Sequence, residues 1–186
     1  MNIPELKAEL ERLHSSSFGW ALSCCRRNHG EAEEVLQTVY LKILEGKARF
    51  RGESSFRTWL FAVIHKTAAG ERRKNLLRKL ILVRESQGEA EKIAPQRPDV
   101  AVERSETQTR FQRALERLPA RQHQTLHLVF YQDLSLREAA DAMDISVGSA
   151  RKHYERGKKR LRESLGQSEI DYGVKWRGEE NTSVVS

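Results

Sequence analysis

The sequence predicts an all-α protein made of two small helical domains joined by a flexible linker. Three observations predict it. Apolar residues recur at helical spacing from Leu6 to about Leu82, and again from Phe111 to Leu165. No segment alternates with period two for long enough to suggest a sheet. Between the two striped stretches, from Arg84 to Glu106, the pattern fails: Glu85, Gln87, Gly88, Glu89, Glu91, Pro95, Gln96, Pro98 and Asp99 make a polar, acidic-leaning interval. The expected division is a first domain over residues 1–82, a linker over 83–107, a second domain over 108–165 and a tail over 166–186.

The elements follow in order. Leu6, Leu10 and Leu13 give a first apolar stripe, and Trp20, Ala21, Cys24 and Cys25 continue it. Val35, Leu36, Val39, Tyr40, Ile43 and Leu44 give a wider one, and Trp59, Leu60, Val63 and Ile64 another, with Trp59 expected in the core. After the linker come Phe111, Leu115 and Leu118. Pro119 suits the first turn of the helix that carries Leu126, Val129 and Phe130.

Charge narrows the partner. The 186 residues carry a formal charge of +7, which suits a polyanionic ligand. Charged residues make up 32% and hydrophobic ones 38%, so the cores must be small. No apolar run approaches the ~20 residues of a membrane span, and Met1–Glu5 lacks the charged-then-apolar pattern of a secretory signal. The only cysteines, Cys24 and Cys25, are adjacent, and neighbours on a helix point apart; they read as buried small hydrophobes in a reducing cytoplasm. No membrane insertion and no cofactor is expected.

The stretch from Leu134 to Tyr154 is the most specific. Leu136, Ala139, Ala140 and Met143 line one face of a helix, with Ser135 as N-cap and Glu138 as its capping-box partner. Asp144 falls where the chain must reverse, and Asp tolerates a left-handed backbone. Ser146 then caps a second helix with Val147, Ala150 and Tyr154 inward and Arg151, Lys152, Glu155 and Arg156 outward. This is the helix-turn-helix pattern, whose second helix enters the DNA major groove.

A second motif sets the kind of DNA-binding protein. The run from Glu31 to Lys42, followed by Phe50-Arg51-Gly52-Glu53-Ser54-Ser55-Phe56-Arg57-Thr58-Trp59-Leu60, closely resembles the first conserved domain of the extracytoplasmic-function (ECF) sigma factors. Those are small promoter-recognition subunits of bacterial RNA polymerase. Ala114 to Gln122 resembles the lead-in to the family's second domain, and the helix-turn-helix follows at the right distance. The resemblance covers roughly residues 5 to 80 and 108 to 165.

It implies a division of labour. The helix from Glu31 to Lys42 would dock on a coiled coil of the largest subunit of core RNA polymerase through Glu31, Glu33, Glu34 and Gln37. Residues Phe50 to Phe56 would form the loop that opens promoter DNA and holds the −10 element. There Gly52 permits unusual backbone angles, Ser54 and Ser55 can bond a base edge, and Arg51 and Arg57 can reach phosphates. Lys66, Arg72 and Arg73 would extend that basic surface. The −35 element would be read by Ser149, Arg151, Lys152, Glu155 and Arg156, with Lys158 on the backbone side. Glu155 could accept from a cytosine amine or pair with Lys152 or Lys159. The resemblance also implies an anti-sigma factor or other regulator as partner.

Other readings have less support. A two-domain helix-turn-helix regulator that binds duplex DNA without serving as a sigma subunit would not need the first domain. His123 and His127 have the spacing of a zinc-protease helix, but Gln124 stands where the general-base Glu belongs. No Gly-rich phosphate loop and no Ser/His/Asp constellation points to an enzyme. The acidic, aromatic-bearing tail, with Glu169, Asp171, Tyr172, Trp176, Glu179 and Glu180, reads as a disordered end or as a weak competitor with DNA.

Overall fold

A computed structural model describes residues 2–85 and 106–165; the tail and residues 86–105 of the expected linker lie outside the described residues, while the linker's ends, 83–85 and 106–107, are helical. Eight helices and no strand occur among the described residues. They are α1 (Ile3–Arg12), α2 (His14–Cys24), α3 (His29–Leu44), α4 (Phe56–Glu85), α5 (Glu106–Glu116), α6 (Ala120–Phe130), α7 (Leu136–Met143) and α8 (Val147–Leu165).

Local chemistry sets where several of them begin. Asn2 and Glu5 form a reciprocal capping box at the start of α1. The Asn28 side chain accepts from the Glu31 N–H and starts α3. Ser55 Oγ accepts from the Thr58 N–H at 3.1 Å and starts α4. Ser135 and Glu138 form the expected box at α7, and Asp144 ends that helix in the left-handed region, at φ 52° and ψ 52°. The Ser149 N–H donates to Ser146 Oγ at 3.2 Å, so α8 is capped as the sequence predicts.

The larger core lies where α2, α3 and α4 meet. Trp20, Val35, Val39, Leu60, Phe61 and Ile64 are buried there. The same core continues into the second half of the chain through Leu128, Leu134, Ala139, Ala142 and Met143. Helix α7 packs on α4, and α6 packs on α2. A smaller core of Leu115, Leu118, Leu126, Tyr154 and Leu161 ties α5 and α6 to α8. Cys24 and Cys25 are buried, and desolvation pushes the Cys24 thiol well up and Cys25 to about 11. They are packing residues with little thiolate character.

Three details differ from the sequence reading. Leu44 is 41% exposed, because it closes α3 on the face away from α2 and α4. Val147, the first residue of α8, is 36% exposed rather than turned inward. Trp59 is half-buried and packs with Phe50 and Phe56 at the rim of the core.

Two glycines in helices predict opposite responses. A Cβ at Gly157 would meet Leu126 Cδ1 at 3.0 Å and Gln122 Cβ at 3.4 Å, so α6 and α8 approach closely there. Nothing lies within 4 Å of a Cβ at Gly70. Gly157→Val is expected to lower unfolding free energy by about 1–3 kcal/mol through overpacking. Gly70→Ala is expected to raise it by about 0.5–1 kcal/mol through backbone entropy. Urea unfolding of the two variants checks both signs.

Candidate nucleic-acid interface

The second helix of the helix-turn-helix presents one charged face to solvent. Arg151, Lys152, Glu155 and Arg156 are all exposed on α8, while Ala150, Tyr154 and Leu161 anchor its other side. Ser149 is half-buried, and its Oγ accepts from Ser146 Oγ at 2.9 Å. Capped α7 sets the entry angle of α8, and Arg121 reaches back to the Met143 carbonyl at 3.4 Å. The geometry is that of a helix held rigidly by its inner face and free along its outer one.

Lys158 differs from its neighbours. Its ammonium lies 4.5 Å from the centroid of the Tyr154 ring and 3.2 Å from Glu155 Oε1, and only 16% of its side chain is exposed. Glu155 therefore pairs with Lys158, and Lys159 approaches Glu163 instead. Neither partner expected for Glu155 is the one it takes.

In the first half, Phe50, Phe56 and Trp59 form an aromatic trio with centroids 5.3–5.5 Å apart. It borders a loop in which Arg51 and Gly52 are exposed and Ser54 is half-buried. Gly52 has φ 78°, the left-handed backbone expected of it. Ser55 is already occupied by its cap on Thr58, whereas Ser54 Oγ donates only to the Ser55 carbonyl. Arg57 is half-buried at the start of α4. Lys66 and Arg73 are exposed farther along α4, one heptad apart on one face. Arg72 turns elsewhere, into a shallow cleft between α3 and α4 lined by Glu31, Glu34 and Glu71.

The outer face of α3 carries Glu33, Glu34 and Gln37, all exposed. Leu41 and Leu44, exposed by 58% and 41%, continue it. The sequence reading assigned Leu44 to the core and passed over Leu41; helical spacing from Glu34 and Gln37 was the available signal. His123 and His127 do not face a common ligand position. His123 Nδ1 lies 3.1 Å from Ser23 Oγ, and His127 stacks on Trp20 with centroids 5.8 Å apart.

Comparison with known proteins fits this arrangement. The family model for Sigma-70 region 2 matches residues 10–77, and that for Sigma-70, region 4 matches residues 108–161. RNA polymerase sigma factor YlaC of Bacillus subtilis is 26% identical over 144 residues, covering 77% of this chain and 83% of that protein. ECF RNA polymerase sigma factor SigX of the same organism is 26% identical over 141 residues, covering 75% of this chain and 73% of that protein. Sigma factor RpoE of Bartonella quintana, solved in complex with the anti-sigma factor NepR, superposes with a TM-score of 0.66 at 22% identity. That match covers 88% of this chain and 98% of the solved one.

The charge geometry of α8 predicts graded salt effects. Arg151→Ala and Arg156→Ala are each expected to flatten the dependence of log K on log salt by about 0.9 for duplex DNA. Lys158→Ala should change the slope by less than about half of that, because its charge is already shared with Tyr154 and Glu155. Fluorescence anisotropy across a salt series measures the slopes. A Lys158 effect as large as that of either arginine contradicts the assignment.

Proposed function

This chain belongs to the sigma-70 family of RNA polymerase subunits, in its extracytoplasmic-function branch, and from that premise we propose that it joins core RNA polymerase and directs initiation at promoters with −35 and −10 elements. The observation that carries this reading is the order of the two matched regions on one chain, 10–77 before 108–161. A regulator that only bound duplex DNA would need the second and not the first. The family is a non-catalytic initiation factor, and phosphodiester chemistry belongs to the polymerase. No described helix is long and apolar enough to cross a membrane.

The division of labour follows from chemistry. Residues 1–82 take the polymerase and the −10 element, 83–107 connect, and 108–165 take the −35 element. On α8, an exposed Arg151 or Arg156 can grip a guanine edge with two parallel N–H donors, worth about 1–3 kcal/mol of discrimination. Lys152 adds attraction to phosphate. Glu155 can accept from a cytosine amine once Lys158 releases it.

Opening the −10 region requires a base to leave the stack and be held, at a cost of a few kcal/mol. Phe50, Phe56 and Trp59 offer aromatic surface beside the loop, and stacking on such surface is worth about 1–3 kcal/mol per base. Ser54 supplies a hydroxyl for the base edge, while Arg51, Arg57, Lys66 and Arg73 supply cations for the backbone. Arg72, which shares the cleft between α3 and α4 with Glu31 and Glu34 of α3, is better suited to link those two helices than to reach DNA. On α3, the mixed face of Glu33, Glu34, Gln37, Leu41 and Leu44 combines acceptors with apolar area for a polymerase helix. An anti-sigma protein, the partner of the Bartonella relative, is the regulator this reading favours.

The loop assignment gives a direct test. Ser54→Leu, which spares the Ser55 cap, is expected to cut run-off transcription by core polymerase from a duplex promoter about tenfold or more, equivalent to about 1.4 kcal/mol. Affinity for core polymerase should stay unchanged, and a pre-opened −10 bubble should restore only part of the loss. Wild-type transcription by Ser54→Leu on duplex promoter excludes Ser54 from base capture.

A further inference from the structure

Helix α4 outruns its own core. Among its described side chains the last buried apolar one is Ala68, yet the helix continues to Glu85. The matched Sigma-70 region 2 stops at residue 77, so the last turns of α4 lie beyond it. On this distal half Leu76, Leu77, Leu80 and Ile81 are 57–61% exposed. Their spacing, i, i+1, i+4 and i+5, puts all four on one face of the helix. A lone exposed leucine is ordinary. Four large aliphatic side chains on one face form a patch of the kind that marks a protein or membrane contact.

Charge sorts the occupants of this face. From Arg72 to Arg84 the sequence holds six cations and no acid. Arg73 and Arg78 are exposed next to the leucines, and Lys74 reaches Glu71 at 2.8 Å. A nucleic acid would use the cations and leave the aliphatic area in water. The patch offers no aromatic or Met side chain of the sort that anchors a protein interface. An anionic lipid surface uses both features at once. Its acyl boundary takes the aliphatic side chains, and its phosphates take the cations.

From this juxtaposition we propose that the distal half of α4, from Arg73 to Ile81, is a peripheral binding face for an anionic lipid surface. Leu76, Leu77, Leu80 and Ile81 seat among the headgroups, while Arg73, Lys74 and Arg78 reach lipid phosphate on their long aliphatic stems. The helix lies along the surface, since no described helix is long and apolar enough to cross a membrane. The chain is thereby held at a membrane surface without a span of its own. This assignment rests on α4 alone and stands apart from the promoter-reading role above.

Co-sedimentation of the full chain with extruded vesicles tests the face, with far-UV circular dichroism to verify helix content. At about 0.1 M salt, phosphatidylcholine vesicles containing one-third phosphatidylglycerol are expected to bind about tenfold or more tightly than pure phosphatidylcholine. The double variant Leu77→Ser/Leu80→Ser leaves every charge in place and spares the core, because both residues are exposed. It should weaken binding to the anionic vesicles by about tenfold or more. Arg78→Gln should weaken it by about fivefold. Equal binding to the two vesicle types overturns the proposal. So does wild-type binding by the leucine double variant, which would reduce the effect to adsorption of a basic chain by charge alone. Absence of vesicle binding, with a mass by light scattering that rises with concentration in wild type and not in the double variant, gives the face to a second copy instead.

Discussion

The indole of Trp20 is fully buried where α2, α4 and α6 converge, and the arrangement of the whole chain turns on satisfying it. Its Nε1–H donates to the Phe61 carbonyl at 2.9 Å, fixing α2 against α4. Its ring stacks on His65 from α4 and on His127 from α6. A buried donor without an acceptor costs about 1–3 kcal/mol, and truncating a buried Trp costs about 3–5 kcal/mol. Those magnitudes exceed the surface ion pair Arg27–Glu116, which is worth about 1 kcal/mol or less. Aromatic packing, rather than charge, therefore holds the halves in register. Burial also lowers His65 to about 4, so the rings around Trp20 are neutral at physiological pH.

From that centre the functional surfaces are pushed outward. Helix α7 is buried on two sides, by α4 and by α8, so its outer neighbour α8 is left to display charge. The apolar residues of α4 occupy the core near its start, which leaves the Phe50–Phe56 loop and the Lys66–Arg73 face toward solvent. A small core and a high charge fraction thus become an asset: positions not needed for packing carry the cations that a polyanion requires.

Features governed by near neighbours in sequence were legible from the residues alone. The Ser135–Glu138 box, the left-handed Asp144 and the outward Arg151, Lys152, Glu155 and Arg156 depend on residues a few positions away, and all stand where periodicity and capping chemistry put them. Features set by distant partners were not legible. His123 meets Ser23 across 100 positions, and His127 meets Trp20 across a comparable span, so a metal-like spacing dissolved into packing. Leu44 and Trp59 belong to apolar stripes, but a stripe does not say how far the neighbouring helix reaches. Ser55 illustrates competition for one hydroxyl, since a loop residue one position before a helix is drawn into capping it. The ammonium of Lys158 is likewise engaged on its own helix, by Tyr154 and Glu155.

The central claim is that this chain gives core RNA polymerase a two-part sequence preference. Mapping the 5′ ends of transcripts made by core polymerase from a library of random duplex fragments, with and without the protein, tests it most directly. The account predicts new starts that share two upstream sequence blocks, centred about 35 and 10 base pairs before the start. Starts unchanged by the protein, or sharing a single block, would contradict it.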